Sequence, residues 1–257
     1  MKVATWNVNS IRIRVDTVCE WLKRHEPDVL CMQETKVKDD DFPTDEFQRL
    51  GYAVAMAGEP SYNGVAIASR LPMKDVAIGL DGDGPAADKR LIGATIGGIR
   101  MLSVYVPNGK AVGSAAFADK LSWLERLRLT LDAHMSPAGL LLLGGDFNIA
   151  ADERDVYAPE LFRGKVHFHH DEHEALARLV DFGLVDGFRA FDDRAGQYSW
   201  WDYRGGSYDR DEGLRIDYIF ATTLLIQRFS KVWIDREPRG YDKPSDHVPV
   251  LAEISAG

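Results

Sequence analysis

Short apolar runs alternate with helical periods along this chain, and polar residues gather where the runs stop. Residues 2–6 read as a strand with Asn7 at its end. Ile11, Val15, Val18 and Leu22 then recur at helical spacing, and Pro27 closes that amphipathic helix. Residues 28–32 form a second apolar run, with Gln33-Glu34 at its carboxyl end. Strand, helix and strand in so few residues is the grammar of sheets covered by helices. Further strands are predicted over 65–68, 100–106 and 140–143. Residues 115–134 predict a helix with Phe117, Leu121, Leu124, Leu127 and Leu131 on one face. Gly144-Gly145 allows close backbone approach just before Asp146. The second half predicts a helix over 171–182 and strands over 216–220, 231–234 and 248–254. Residues 79–85 read as a Gly-rich loop rather than a boundary. With no linker between halves, one domain over residues 1–257 is expected.

Four polar islands stand out against this pattern: Trp6-Asn7-Val8-Asn9, Gln33-Glu34-Thr35, Gly145-Asp146-Phe147-Asn148 and Ser245-Asp246-His247. Each adjoins an apolar run, and carboxylates, amides and imidazoles are poor core residues. If they converge, they make a hard-cation site with water-activating groups beside it, which is equipment for phosphodiester hydrolysis.

Composition narrows the class. An apolar content of 45% and a charged content of 28% in 257 residues predict an ordinary globular core. The first residues already read as a strand, which argues against a signal peptide, and the longest apolar run is far too short to span a membrane. Cys19 and Cys31 fall in a helix and a strand pattern. They are expected to be buried free thiols, which suits a reducing cytoplasm. The formal net charge of −9 opposes tight coating of nucleic acid. It predicts weak, salt-sensitive contacts by basic residues grouped on one face, with a divalent ion neutralising an acidic cleft.

Single residues carry two readings each. Glu34 is a solvated strand-end glutamate or a Mg²⁺ ligand, with Asn7 and Asp246 completing the shell. Asp146 and Asn148 flank Phe147 at alternate positions. They form an Asx turn, or a proton-transfer group beside a phosphate donor. Asp217 interrupts the apolar run Ile216 to Phe220 and needs a partner, for which His247 is the candidate. Arg90, Lys89, Lys110 and Arg204 are candidate phosphate contacts on loops, and Lys36 is a candidate lid over the metal site. His167, His169, His170 and His173 alternate and then enter a helix pattern. They are expected to line a solvent-exposed polar edge rather than a zinc site.

Six motifs occur in the order found in exonuclease III-type abasic-site endonucleases, members of the endonuclease/exonuclease/phosphatase superfamily. They are Trp6-Asn7-Val8-Asn9-Ser10-Ile11-Arg12, Gln33-Glu34-Thr35-Lys36, Tyr105-Val106-Pro107-Asn108, Gly145-Asp146-Phe147-Asn148, Leu214-Arg215-Ile216-Asp217-Tyr218 and Ser245-Asp246-His247-Val248-Pro249. The resemblance runs from residue 2 to about residue 254. It implies a deoxyribonuclease I-like fold: a four-layered α/β sandwich, two facing mixed sheets flanked by helices, with the site at one rim. It also implies a DNA repair nuclease needing Mg²⁺, with Mn²⁺ as the alternative ion; with no coiled-coil pattern or long apolar surface stripe, a monomer is expected. Such enzymes hydrolyse the phosphodiester 5′ to an abasic site in double-stranded DNA, leave a 3′-hydroxyl, and trim blocked 3′ ends.

By the same resemblance Glu34 holds the metal with Asn7 and Asp246 nearby, and Asp146 activates water or protonates the leaving oxygen. Asn148 orients the nucleophile, Tyr105 and His247 contact phosphate, Asp217 holds His247, and Asn108 lies near the scissile phosphate. Within Ser199-Trp200-Trp201-Asp202-Tyr203-Arg204, Trp200 is expected to face the extruded abasic sugar, and Trp201 is a weaker candidate. Leu214 stands where some relatives carry Trp, so the far wall of that pocket is expected to be less aromatic. Two other classes stay open. One is a relative acting on other phosphoesters, which typically places a second His after the strand that here ends Tyr105-Val106-Pro107-Asn108. The other is a nucleic-acid-binding regulator with a dead site, against which the full set Glu34, Asp146, Asn148, Asp217 and His247 argues.

Overall fold

A computed structural model describes residues 1–255, so the last two residues of the expected domain lie outside the described residues. In chain order the main elements begin with β1 (Lys2–Asn7), α1 (Ile11–His25), β2 (Val29–Gln33), α2 (Thr44–Arg49), β3 (Ala53–Ala57) and β4 (Val65–Ser69). The middle of the chain gives β5 (Met73–Ile78), β6 (Leu91–Ile96), β7 (Ile99–Tyr105), α3 (Ala115–His134) and β8 (Leu141–Asp146). The remainder forms α4 (Pro159–Phe162), α5 (His170–Val180), β9 (Leu184–Asp186), β10 (Asp217–Thr222), α6 (Thr223–Ile226), β11 (Phe229–Ile234) and β12 (Val250–Ile254).

Two six-stranded sheets result, ordered β11-β12-β1-β2-β4-β3 and β5-β6-β7-β8-β10-β9. Both are mixed: β1 runs parallel to β2 and β7 parallel to β8, while their other neighbours are antiparallel. Val3, Val29, Cys31, Ile67, Ile92, Met101, Leu142 and Ile219 fill the space between the sheets. Trp21, Leu22 and Phe47 of α1 and α2 cover the first sheet, and Leu124, Leu131 and Leu176 of α3 and α5 cover the second. This is the four-layered α/β sandwich that the sequence implied.

The two glycines of β8 leave room for close neighbours, Gly144 toward the facing sheet and Gly145 toward β7 beside it. A Cβ on Gly144 would sit 3.1 Å from Thr5 Cβ of the facing sheet, and one on Gly145 would sit 1.9 Å from the Val104 carbonyl oxygen. Gln33 reaches across from the first sheet and donates to Ser103 Oγ at 3.0 Å. The rims of the two sheets are therefore held against each other next to the strand ends.

The pattern missed β3, β5, β6, β9 and α2, and the short helices α4 and α6. β5 is an exposed edge strand with a bulge at Asp75, β3 is an alanine-rich edge, and Gly93 interrupts β6. The buried face of α3 also differs from expectation. Lys120 lies on it between Phe117 and Leu124, while Leu121 is only half-buried. Cys31 is buried and Cys19 half-buried, and burial pushes their thiols up to about 12 and about 11. Among the described residues no helix is long and apolar enough to cross a membrane.

Candidate active site

Strand register assembles the site. Tyr105 pairs with Asp146 across β7 and β8, and Asp146 pairs with Asp217 across β8 and β10, so three acidic or phenolic side chains form one row. On the facing sheet, β1 ends at Asn7 beside Gln33 of β2, and Glu34 follows directly. The loop before β12 brings Asp246 and His247 between these rims. Ser245 Oγ donates to the Asn7 carbonyl at 2.7 Å, and Trp6 Nε1 donates to the His247 carbonyl at 3.1 Å.

A buried relay runs along the second sheet. His247 Nδ1 donates to Asp217 Oδ2 at 2.9 Å, and His247 Nε2 faces Asp146 Oδ2 at 3.7 Å. Ser199 Oγ adds a 2.7 Å hydrogen bond to Asp217 Oδ2. Burial disfavours charge on His247, yet Asp217 and Asp146 carry its pKa up to about 10. Burial pushes Asp146 up to about 7 against the pull of the His247 charge, and Asp217 and Glu34 add to the rise. A carboxyl poised near neutral pH is suited to proton transfer in either direction. Burial first, then Glu34 and Asp146, raises the Tyr105 phenol well above its ordinary value, so it stays a donor.

Asn7 bridges the two carboxylates. Its Nδ2 donates to Glu34 Oε1 at 2.8 Å and to Asp146 Oδ2 at 2.9 Å, while its Oδ1 accepts the Asn9 amide at 3.0 Å. Lys36 Nζ lies 2.6 Å from Glu34 Oε2 and also donates to Asn9 Oδ1 at 2.6 Å. Asp246 accepts Asn9 Nδ2 at 2.9 Å and Trp200 Nε1 at 3.0 Å. Burial works against its charge, but His247 and these two hydrogen bonds lower its pKa overall. Ligand atoms of Glu34, Asp146 and His247 all lie within 4.8 Å of one another. The two carboxylates, with one edge open at partly exposed Glu34, fit a hard divalent cation, while the charged His247 ring stands beside such a site rather than in it.

Asn148 closes the other side. Its amide donates to the Val106 carbonyl at 3.0 Å, its Oδ1 accepts Asn108 Nδ2 at 3.1 Å, and its backbone amide donates to Asp146 Oδ1 at 2.8 Å. Arg90 stacks over Tyr105, 4.8 Å from the ring centre, and its buried Nη1 has no protein partner. Lys110 and Arg204 are exposed on loops, and Tyr203, next to Arg204, is bonded by Arg14 Nη2 at 2.8 Å. Trp200 is half-buried at the site. Trp201 is fully buried with Tyr198 and Val248, so the weaker aromatic candidate is a core residue.

The histidine run departs from the expected exposed edge, because only His170 is exposed. His169 caps α5 and His173 donates to the Ala150 carbonyl at 2.9 Å. His167 belongs to the site: its Nδ1 donates to the Asn148 carbonyl at 2.6 Å, its Nε2 lies 3.5 Å from Asn108 Nδ2, and its ring centre lies 6.3 Å from that of Trp200. Burial and the Lys120 ammonium lower its pKa to about 3, so it is neutral. Its φ of 74° is left-handed, a conformation that no sequence pattern announces at a non-glycine. Asn9, Ser10, Glu34, Lys36, Lys110 and Asn148 share positive φ, so backbone strain concentrates around these loops.

Known proteins resemble this chain along its whole length. The pattern of the endonuclease/exonuclease/phosphatase family matches residues 4–247. Exodeoxyribonuclease III of Haemophilus influenzae is 32% identical over 99% of this chain and 100% of its own length. An AP endonuclease from Archaeoglobus fulgidus superposes with a TM-score of 0.96 at 40% identity, with both chains fully covered. A Neisseria 3′ phosphatase bound to a product DNA hairpin gives the same TM-score at 39% identity, again with both chains covered. The chain is a hydrolytic nuclease, and it belongs to the endonuclease/exonuclease/phosphatase family, in its exodeoxyribonuclease III and AP endonuclease branch.

Proposed function

We propose that this protein is a divalent-metal-dependent DNA phosphoesterase acting first on 3′ termini, removing a 3′-phosphate or the terminal nucleotide. The observation that carries the substrate choice is His167. Its ring stands beside Trp200, where an extruded abasic sugar would have to lodge, and it is anchored to Asn148 rather than free to swing away. A terminal phosphate needs only the phosphate site between Asn108, Asn148 and His247. The likeness to a 3′ phosphatase and to exodeoxyribonuclease III agrees with this choice. Incision 5′ to an abasic site in double-stranded DNA is the second reading, favoured by half-buried Trp200 at the pocket and by the likeness to an AP endonuclease.

Each residue then has a task. Asp217 holds the His247 ring in the orientation that presents Nε2–H to the phosphoryl oxygens, and the charged imidazole steadies the negative charge developing there. Asp146 moves the proton at the attacking water or leaving oxygen, and Asn108, held by Asn148, presents its remaining amide hydrogen to the phosphate. Tyr105 donates from the opposite side. Glu34 would hold Mg²⁺ or Mn²⁺, with Asp246 and Asn7 behind it, and the ion when bound supplies charge neutralisation and water polarisation. A cleft of about 590 Å³ beside Asn9 and Lys36 is lined by exposed Arg12, a cation placed to meet a DNA backbone, while Arg14 on its floor is tied to the Asn9, Lys243 and Pro244 carbonyls.

The test compares three duplexes, carrying a recessed 3′-phosphate, an undamaged recessed 3′ end and a central abasic analogue, each with Mg²⁺ and with EDTA. Faster Mg²⁺-dependent turnover of the first two, with abasic incision rising in His167→Ser, is the expected result. Abasic incision dominating in the unaltered protein establishes the second reading, and no turnover with any ion sinks both.

A further inference from the structure

Helix α3 carries a charge where its apolar stripe should run. Lys120 lies on the face of Phe117, Leu124 and Leu127, and its side chain is fully buried. Its ammonium donates to the Asn148 carbonyl at 2.7 Å and the Asn108 carbonyl at 3.3 Å, and it pairs with Glu172 of α5, which is also fully buried. The second oxygen of Glu172 accepts the His169 amide at 3.1 Å. One ammonium thus joins two helices to the loops that leave β7 and β8. Gly109 makes room for it, since a Cβ there would lie 3.0 Å from Lys120 Cδ.

A buried ion pair is a weak source of stability, because apolar side chains of similar volume often do as well. What this pair holds is geometry. Asn148 has a φ of 54°, and strain of that kind persists only where the surroundings over-determine it. Its carbonyl receives both Lys120 Nζ and His167 Nδ1, while its side chain is tied to Val106 and Asn108. We propose that Lys120, held by Glu172, is a positioning residue for hydrolysis, locking the carbonyls of Asn108 and Asn148 so that Asn148 stays tied to Val106 and Asp146 and the remaining amide hydrogen of Asn108 is aimed at the phosphate. The inference rests on the phosphoesterase reading for its catalytic part. Lys120 itself touches no reacting atom and acts through the two asparagines.

Lys120→Met keeps the length of the stem and removes the charge, and Lys120→Arg keeps the charge. Steady-state kinetics on the 3′-phosphate duplex are measured together with the ¹⁵N side-chain amide resonances of Asn108 and Asn148, which need no turnover. For Lys120→Met the expected result is a fall in kcat of about 10²-fold, the scale of a 1 Å misplacement. KM should stay nearly unchanged, both amide pairs should shift or broaden, and Lys120→Arg should restore most of the rate. Wild-type kcat, or a rate loss with unshifted amides, overturns the proposal. If Lys120→Met does not fold, Glu172→Gln carries the test, with an expected loss of about 10-fold, as for supporting-shell partners elsewhere. Unchanged rate and amides in Glu172→Gln overturn the proposal equally. If the unaltered protein turns over no DNA, the function reading falls alone, and the amide shifts still decide whether Lys120 positions the asparagines.

Discussion

The two rims of the sandwich handle acidic side chains in opposite ways. On the second sheet, Asp146 and Asp217 are almost wholly buried, and His247 stands between them on a chain of hydrogen bonds and close charge contacts. On the first sheet, Glu34 keeps 17% of its side chain exposed, and its cationic partner Lys36 keeps 27% exposed on a long flexible stem. Burial without such partners would leave charges uncompensated in a low dielectric, so the second rim must be pre-organised. On the proposed reading the first rim exchanges one cation for another, and a partly exposed ammonium on a flexible stem is a counter-ion that can move aside. One rim is built to stay still and the other to let an ion in and out.

The comparison breaks most visibly at Asp146. Asp146→Asn should retain fold and DNA affinity and lose about 10²–10⁴ in kcat, read by steady-state cleavage beside a binding titration. Full activity in that variant would move proton transfer to His247. Glu34→Gln should instead shift the Mg²⁺ titration midpoint upward and leave the melting temperature almost unchanged; a large drop in melting temperature would make Glu34 structural. The close contact behind the still rim can be tested without catalysis. Gly145→Ala drives a Cβ into the Val104 carbonyl and should destabilise by about 1–3 kcal/mol or more in urea unfolding.

A smaller effect belongs to pH. His167 titrates at about 3 in the folded protein against 6.5 for the free side chain, so folding favours its neutral form. The stability linked to it is complete above about pH 6.5 and is lost progressively as pH falls toward 3. His167→Ser should therefore flatten the acid limb of the stability profile, and an unchanged limb would show that the imidazole is not desolvated as described. The smallest changes are expected from exposed Lys110→Ala and Arg204→Ala. Each should lower the salt slope of DNA binding by about 1 if the residue meets a phosphate, with little change in kcat.

What could be read from sequence followed physical periodicity. The strand ends at Asn7, Glu34 and Asp146 were legible because each terminates an apolar run, and the α/β grammar followed from β1, α1 and β2. β5 was hidden because an exposed bulged edge has neither alternation nor burial to announce it. Lys120 left a trace, a lysine three residues after Phe117 and four before Leu124, but an apolar stripe tolerates an interruption and the buried glutamate lies 52 residues away. His167 left none, since left-handed backbone at a non-glycine and a carbonyl partner 19 residues back are tertiary facts. Trp201 illustrates the reverse: the pair of tryptophans kept it as a weaker candidate for the sugar pocket, but Arg236 stacks on the buried Trp201 ring and Val248 packs against it.

The pairing of β1 with β12 has a consequence for the life of the chain. Asn7 is joined to Ser245 and Trp6 to His247 across 238 and 241 residues, and the Met1 ammonium donates to the Ile254 carbonyl at 2.7 Å. At synthesis rates of about 5–20 residues per second, the first strand waits roughly 12–50 s for the partner that completes it. Until then the relay lacks its imidazole and the first sheet lacks β12 and β11 beside β1. A nascent chain that has not yet added residues 245–247 thus lacks the imidazole of the relay, and the order of the strands leaves the centre unassembled until that segment has been made.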